Sequence, residues 1–192
     1  MIEALLRYDE QLFRLINGWH SPFWDQVMWL VSAKLTWVPL YLFILVWLYR
    51  RQRHRYWLLL LFIVLLVTVT DQVSVQLFKK VFMRLRPCHQ EGLAATVHLV
   101  KGHCGGLYSF VSSHATNMFG VATFTALLLR NRLYTFLIFF WAALGAYSRI
   151  YLGVHFPGDV AGGALLGIIL GWLVWGAYRR SDEWLRKKQE RG

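Results

Sequence analysis

The chain is 192 residues long, 57% hydrophobic and only 16% charged, with a mean hydropathy of +0.40. Intrinsic disorder is excluded, because it requires low hydrophobicity. A water-soluble fold is excluded too, because one domain of this size cannot bury so much apolar surface. Lys and Arg outnumber Asp and Glu by 21 to 10, a formal charge of +11. Where the apolar residues form long blocks, such an excess marks cytoplasmic loops rather than a nucleic-acid surface. The expected partner is the bilayer, and no nucleic acid is expected.

Residues 1–18 read as an amphipathic helix in the membrane interface rather than a signal peptide. Ile2, Leu5, Leu6, Leu12, Phe13 and Ile16 recur at helical spacing. Glu3–Arg7 and Glu10–Arg14 are acid-before-base pairs four apart, and Asn17-Gly18 supplies a stop. A cleavable signal needs a basic start and a short apolar run, and this segment has neither.

Five long apolar blocks follow, from about Phe23 to Tyr49, Tyr56 to Phe78, His114 to Leu129, Leu133 to Tyr151 and Gly158 to Tyr178. Spanning the hydrocarbon takes roughly 20 residues, so the expected fold is all-α. It is a single-domain polytopic transmembrane bundle of about five spans over residues 1–192, preceded by the interfacial helix. Lys34 and Pro39 interrupt the first block and Asp71 the second. Asp71 reads equally as a partner of a site cation or as a helix–helix contact, and Lys34 has no assigned role.

Arg50, Arg51, Arg53 and Arg55 join the first two blocks, and Arg130 and Arg132 join the third and fourth. Arg179, Arg180, Arg186, Lys187, Lys188 and Arg191 fill a basic tail over 179–192. If the blocks alternate, all of these face the cytoplasm. The opposite face then gathers Lys79 and Arg86, Ser112 and His114, Arg149, and His155 with Asp159. Ionisable residues near a bilayer are costly and mark function. Three cations suit a phosphate, which takes bidentate hydrogen bonds from Arg and a point charge from Lys. Two histidines add chemistry, because one neutral imidazole can attack phosphorus while a protonated one donates to the leaving oxygen. Asp159 lies four residues after His155, on the same face of a helix, where it can orient the ring.

These residues carry a resemblance. "KKVFMRLRP", with Lys79 and Arg86-Pro87, resembles the first signature of the type 2 phosphatidic acid phosphatase superfamily, which also holds the vanadium haloperoxidases. "FVSSHATN" around His114 is similar to its second, Pro-Ser-Gly-His, and "SRIYLGVHFPGD" to its third, from Arg149 through His155 to Asp159. The resemblance is to the membrane-bound branch and covers about Lys79 to Asp159. It implies that His155 is the nucleophile, that Asp159 orients it and that His114 is the general acid. It further implies that Lys79, Arg86, Arg149 and Ser112, with the amide of Ser113, hold the phosphate oxygens without metal or cofactor. Val111 and Ser113 depart from the Pro and Gly of the second signature, and a Gly there would permit a positive φ. Lys80 and Arg84 read as snorkelling residues at a helix end.

The loop over 88–113 is long, as binding loops are. It contains Cys88, His89, His98, His103 and Cys104, whose spacings match no standard structural zinc site. Outside the cytoplasm thiols oxidise, so a Cys88–Cys104 disulfide is expected. Gly163, Gly167 and Gly171 read as close helix packing within one monomer.

The expected function is hydrolysis of a lipid phosphomonoester or pyrophosphate through a phosphohistidine, at the outer face of a bacterial inner membrane. Phosphatidic acid, phosphatidylglycerol phosphate, a polyprenyl pyrophosphate and the phosphates of lipid A stand as candidate substrates. A lipid phosphotransferase would use the same residues. A non-enzymatic phosphate or lipid-anion transporter would need the cations but not an oriented nucleophile.

Overall fold

The computed structural model describes residues 2–51 and 55–190, which are mostly helical and contain no strand. Arg53 and Arg191, counted above among the inner-face charges, lie outside the described residues. Helix α1 (Ile2–Gly18) packs Phe13 against Phe156 with ring centroids 5.3 Å apart, while Leu5, Leu6, Leu12 and Leu15 stay exposed. Helix α2 (Pro22–Ser32) starts at Ser21, whose Oγ accepts from the Trp24 amide, and Pro22 takes the first turn, where its missing N–H costs nothing.

The first apolar block is bent rather than straight. After α2 the chain turns through 65°, passes a 3₁₀ turn at Lys34–Trp37 and continues as α3 (Val38–Arg51). Pro39 sits in the first turn of α3, where it is tolerated, and the Trp37 indole donates to the Val31 carbonyl (2.7 Å) across the bend. Helix α4 (Tyr56–Phe82) widens into a π turn over Ser74–Lys79 before it ends. Helices α5 (Ser113–Leu129), α6 (Arg132–Tyr151) and α7 (Pro157–Glu190) complete the bundle.

Helices α4, α6 and α7 are each long and apolar enough to cross a membrane, and the bent pair α2–α3 makes a fourth span if counted as one. The chain is an integral membrane protein. With 17 residues, α5 is shorter than the spanning helices. It is the hub, burying Ala115, Met118, Ala122, Phe124 and Leu129 among its neighbours and packing most extensively on α7. That packing depends on small residues. A Cβ on Gly163 would meet the Ser112 carbonyl at 2.6 Å, and one on Gly171 the Gly120 carbonyl at 2.6 Å. The glycine spacing therefore serves contact inside the monomer.

Residues 179–190 are not a separate tail but the continuation of α7. Pairs four apart, Arg179–Glu183 and Arg186–Asp182, support the helix there. Arg55 bonds both Asp182 (2.9 Å) and Gln189 (2.7 Å), tying the start of α4 to this end.

Candidate active site

At the other end of the bundle, four separate stretches of chain meet. The π turn closes α4, with the buried Ser74 donating to Ser113 Oγ (2.8 Å) at the start of α5, and Lys79 ends the same turn, half-buried. Such turns shift the side-chain register of a helix and recur at functional sites. Beyond α4 the chain is extended, and Leu85 pairs with Tyr108 in a single antiparallel bridge. Arg84 and Arg86 are two apart and so share one face of this segment.

Arg86 is buried, and its guanidinium donates to the carbonyls of Cys104 (3.0 Å) and Tyr108 (3.3 Å). Gly105, at φ +83°, leaves room for it, since a Cβ there would lie 2.9 Å from Nη1. Cys88 and Cys104 are joined by the expected disulfide, with Cα atoms 6.0 Å apart. The bridge closes the loop whose carbonyls hold Arg86. Replacing both cysteines by serine is expected to cost about 3 kcal/mol by loop entropy. A lowered thermal midpoint in detergent, together with insensitivity of the variant to reductant, is the check.

Among the other loop histidines, His98 builds structure. His98 bonds the carboxylate of Asp25 (3.0 Å) and stacks on His20 at 3.6 Å. Asn17 fastens the loop by donating to the carbonyls of His98 and Tyr151.

Helix α5 begins at Ser112, a fully buried N-cap whose amide donates to the Asp159 carbonyl (3.0 Å), locking the starts of α5 and α7 together. Ser113 lies in the first helical turn without positive φ, so serine at the signature's glycine position is unstrained. Val111 is buried against Gly162 of α7.

The turn after α6 carries the last group. Val154 and His155 both donate to the Arg149 carbonyl (3.2 Å each), folding the imidazole back beside Arg149. Gly153, at φ +77°, makes this turn, and a Cβ there would strike Val97 and the His98 carbonyl. Arg149 Nη1 bonds Ser32 at the end of α2. His155 is 2% exposed and Asp159 0%, and Nδ1 of the ring faces Asp159 Oδ2 at 3.5 Å, beyond an ordinary hydrogen bond. Burial first, then the charges of Arg86, Arg149 and Lys79, hold the His155 imidazole well below the usual histidine pKa. It is neutral at pH 7.

The structure thus brings together Lys79, Arg86, Ser112, Ser113, His114, Arg149, His155 and Asp159 from four places in the chain. Five buried polar atoms nearby have no hydrogen-bond partner among the described residues: His114 Nε2, Asn117 Oδ1, Trp141 Nε1, Arg149 Nε and His155 Nδ1. Such atoms are rare in folded proteins and call for a ligand or a catalytic explanation. Three of the residues bearing them, His114, Asn117 and Trp141, line a cavity of about 330 Å³ between α3, α4, α5 and α6. Its other walls are mostly apolar, among them Ile44, Ile63, Leu66 and Phe124, and Lys34 reaches it from the α2–α3 bend. Asn117 was missed in the sequence, although its place three residues after His114 puts it on the same helix face.

Arg84 is no snorkelling residue. Its guanidinium bonds Asp159 Oδ1 (2.9 Å) and Asp9 Oδ2 (2.7 Å) and lies over the Phe156 ring. Lys80 is exposed at the end of α4, as expected.

The family described as the PAP2 superfamily matches residues 56–183. The chain is 40% identical over 177 residues to a lipid A 4′-phosphatase of Bacteroides thetaiotaomicron, covering 91% of this chain and 79% of the relative. It is 39% identical over 178 residues to a lipid A 4′-phosphatase of Porphyromonas gingivalis, covering 92% and 75%. Among solved structures, a PAP2-type phosphatidylglycerolphosphate phosphatase of Bacillus subtilis superposes with a TM-score of 0.72 at 25% identity, over 92% of this chain and 87% of the other.

Proposed function

The chain belongs to the PAP2 superfamily of membrane phosphatases, and from that premise we propose that it hydrolyses a phosphate monoester of a lipid A-type saccharolipid at the extracytoplasmic membrane boundary. The observation that carries the reading is a buried His155 backed by Asp159 and close to the charges of Arg86, Arg149 and Lys79.

Lys79, Arg86 and Arg149, with Ser112 and the free first-turn amides of Ser113 and His114, hold the phosphate oxygens. Asp159 accepts a hydrogen bond from the Nδ1–H of His155, which leaves the Nε2 lone pair to attack phosphorus in line. The N–P bond forms as the P–O bond to the lipid breaks. The phosphate itself brings the negative charge that lets His114 carry a proton, and His114 delivers that proton to the departing oxygen. Water, deprotonated in turn by His114, then cleaves the phosphohistidine and frees inorganic phosphate. The cations supply the charge stabilisation that a metal ion supplies elsewhere.

Five spans, with α5 crossing inside the ring of the others, and α1 lying in the interface with its exposed leucines toward lipid, complete the arrangement. Arg55, Arg130, Arg179 and Arg186 gather at the end remote from the site, which the charge rule makes cytoplasmic. For a bacterial inner membrane the site then faces the periplasm.

The test is inorganic phosphate release from lipid A phosphates in detergent with EDTA present. Sustained release, inhibited by vanadate, is expected; abolition by EDTA overturns the metal-free mechanism. Because its pKa is lowered, His155 stays neutral and competent below the ordinary histidine value of about 6.5. A kcat/KM profile is therefore expected to hold its activity through pH 6, where a normal imidazole would already be mostly protonated.

One observation favours a second reading. Lys34, a cation additional to Lys79, Arg86 and Arg149, lines the cavity that His114 also lines, and on the proposed mechanism His114 faces the leaving group. A lipid diphosphate, whose leaving group is itself an anion, would use that charge. On this reading Lys34→Met slows release from a polyprenyl diphosphate and spares a monophosphate.

A further inference from the structure

The groups behind the nucleophile form a chain of contacts that reaches the amino-terminal helix. Asp159 is fully buried, and a buried carboxylate keeps its charge only where a cation and hydrogen bonds replace its lost water. Its Oδ2 accepts from the Phe156 amide (2.8 Å) and faces His155, while its Oδ1 is held by Arg84 (2.9 Å). The other arm of that guanidinium binds Asp9 of α1 (2.7 Å). Asp9 in turn accepts through Oδ1 from the Gly158 amide (2.6 Å) in the first turn of α7, the turn that carries Asp159. Arg84 is itself fixed, since its carbonyl accepts from the Ser109 amide (2.8 Å) and hydroxyl (3.1 Å) and its plane rests on the Phe156 ring at 4.1 Å.

We propose that Arg84 and Asp9 are positioning residues for the His155–Asp159 pair, so that α1 is part of the catalytic apparatus and not only a membrane contact. Arg84 fixes the ionisation and direction of the Asp159 carboxylate. Asp9 fixes Arg84 and the α7 amide turn together. Neither touches the phosphate. Their loss therefore acts on turnover through His155 and leaves the cationic cage of Lys79, Arg86 and Arg149 intact. The assignment rests on His155 being the nucleophile.

The experiment compares Arg84→Gln, Arg84→Ala, Asp9→Asn and Gly158→Ala in the full-length protein, in detergent. Each is expected to lower kcat by about 10–100-fold, the range for losing a group that orients a catalytic ligand, with KM and vanadate inhibition within about threefold of wild type. Millimolar guanidinium is expected to restore part of the activity of Arg84→Ala and none of that of Asp9→Asn. Gly158→Ala is the sharpest variant. Alanine favours the helix, but its Cβ would lie 2.8 Å from Asp9 Oδ2 and displace that carboxylate. It should therefore slow turnover without lowering the thermal midpoint.

An Arg84→Gln enzyme with wild-type kcat beside an inactive His155→Gln overturns the clamp alone. So does a loss that guanidinium leaves unrepaired and that tracks a fallen thermal midpoint. An inactive wild-type chain overturns instead the proposed function beneath it, and an active His155→Gln the assignment of nucleophile.

Discussion

Replacing His155 by glutamine is expected to lower phosphate release by about 10⁴–10⁶-fold, the scale on which a covalent nucleophile is lost. Glutamine is the informative replacement because the imidazole is 2% exposed, so alanine would open a hole in the site and confuse lost chemistry with lost packing. The oxyanion cage is supplied by other residues, and vanadate binding should persist in the variant. Retention of more than about a hundredth of wild-type turnover, measured as inorganic phosphate, would assign the attack to another group.

Gly167→Val is expected to have the second-largest effect, and to act from a distance. A Cβ at 167 would collide with the Thr116 carbonyl and lie 2.9 Å from the Gly120 amide, and backbone cannot step aside as a side chain can. Prising α5 from α7 costs roughly 1–3 kcal/mol, as overpacking of a filled core does. For a chain of this size that is a fall in thermal midpoint of roughly 2–10 °C. Activity should fall with it, because Ser112 and His114 sit at the start of α5 while Asp159 sits at the start of α7, and the two starts are joined by one backbone hydrogen bond. Gly176→Ala is the control. Nothing lies within 4 Å of its added Cβ, so activity should be unchanged and the thermal midpoint should hold or rise, since alanine favours the helix.

The signature residues were readable in the sequence because each occupies a fixed offset near a helix end, and the helices could be traced from the apolar blocks. Arg84 was not readable in the same way. Its meaning depends on Asp9 and Asp159, 75 residues away on either side, and from the pattern alone a cation after an apolar helix looks like any snorkelling residue. Helix α5 was the weakest block for a physical reason. Its neighbours are protein, so it tolerates Thr116, Thr123 and Thr125, whose hydroxyls bond back to carbonyls four residues earlier, and hydropathy underrates it. The bend at Lys34 left a trace in the sequence, a lysine and a proline in one apolar block, but no sign that the lysine shares a cavity with His114. The extension of α7 also left a trace, the opposite charges four apart, which the basic excess concealed.

Helix α7 runs from Pro157 to Glu190 without a break, a rod of 34 residues. It has no joint at which a displacement could be absorbed. The end held by Arg55 at Asp182 and the turn bearing Asp159 therefore belong to one continuous helix, and a shift of one is felt at the other.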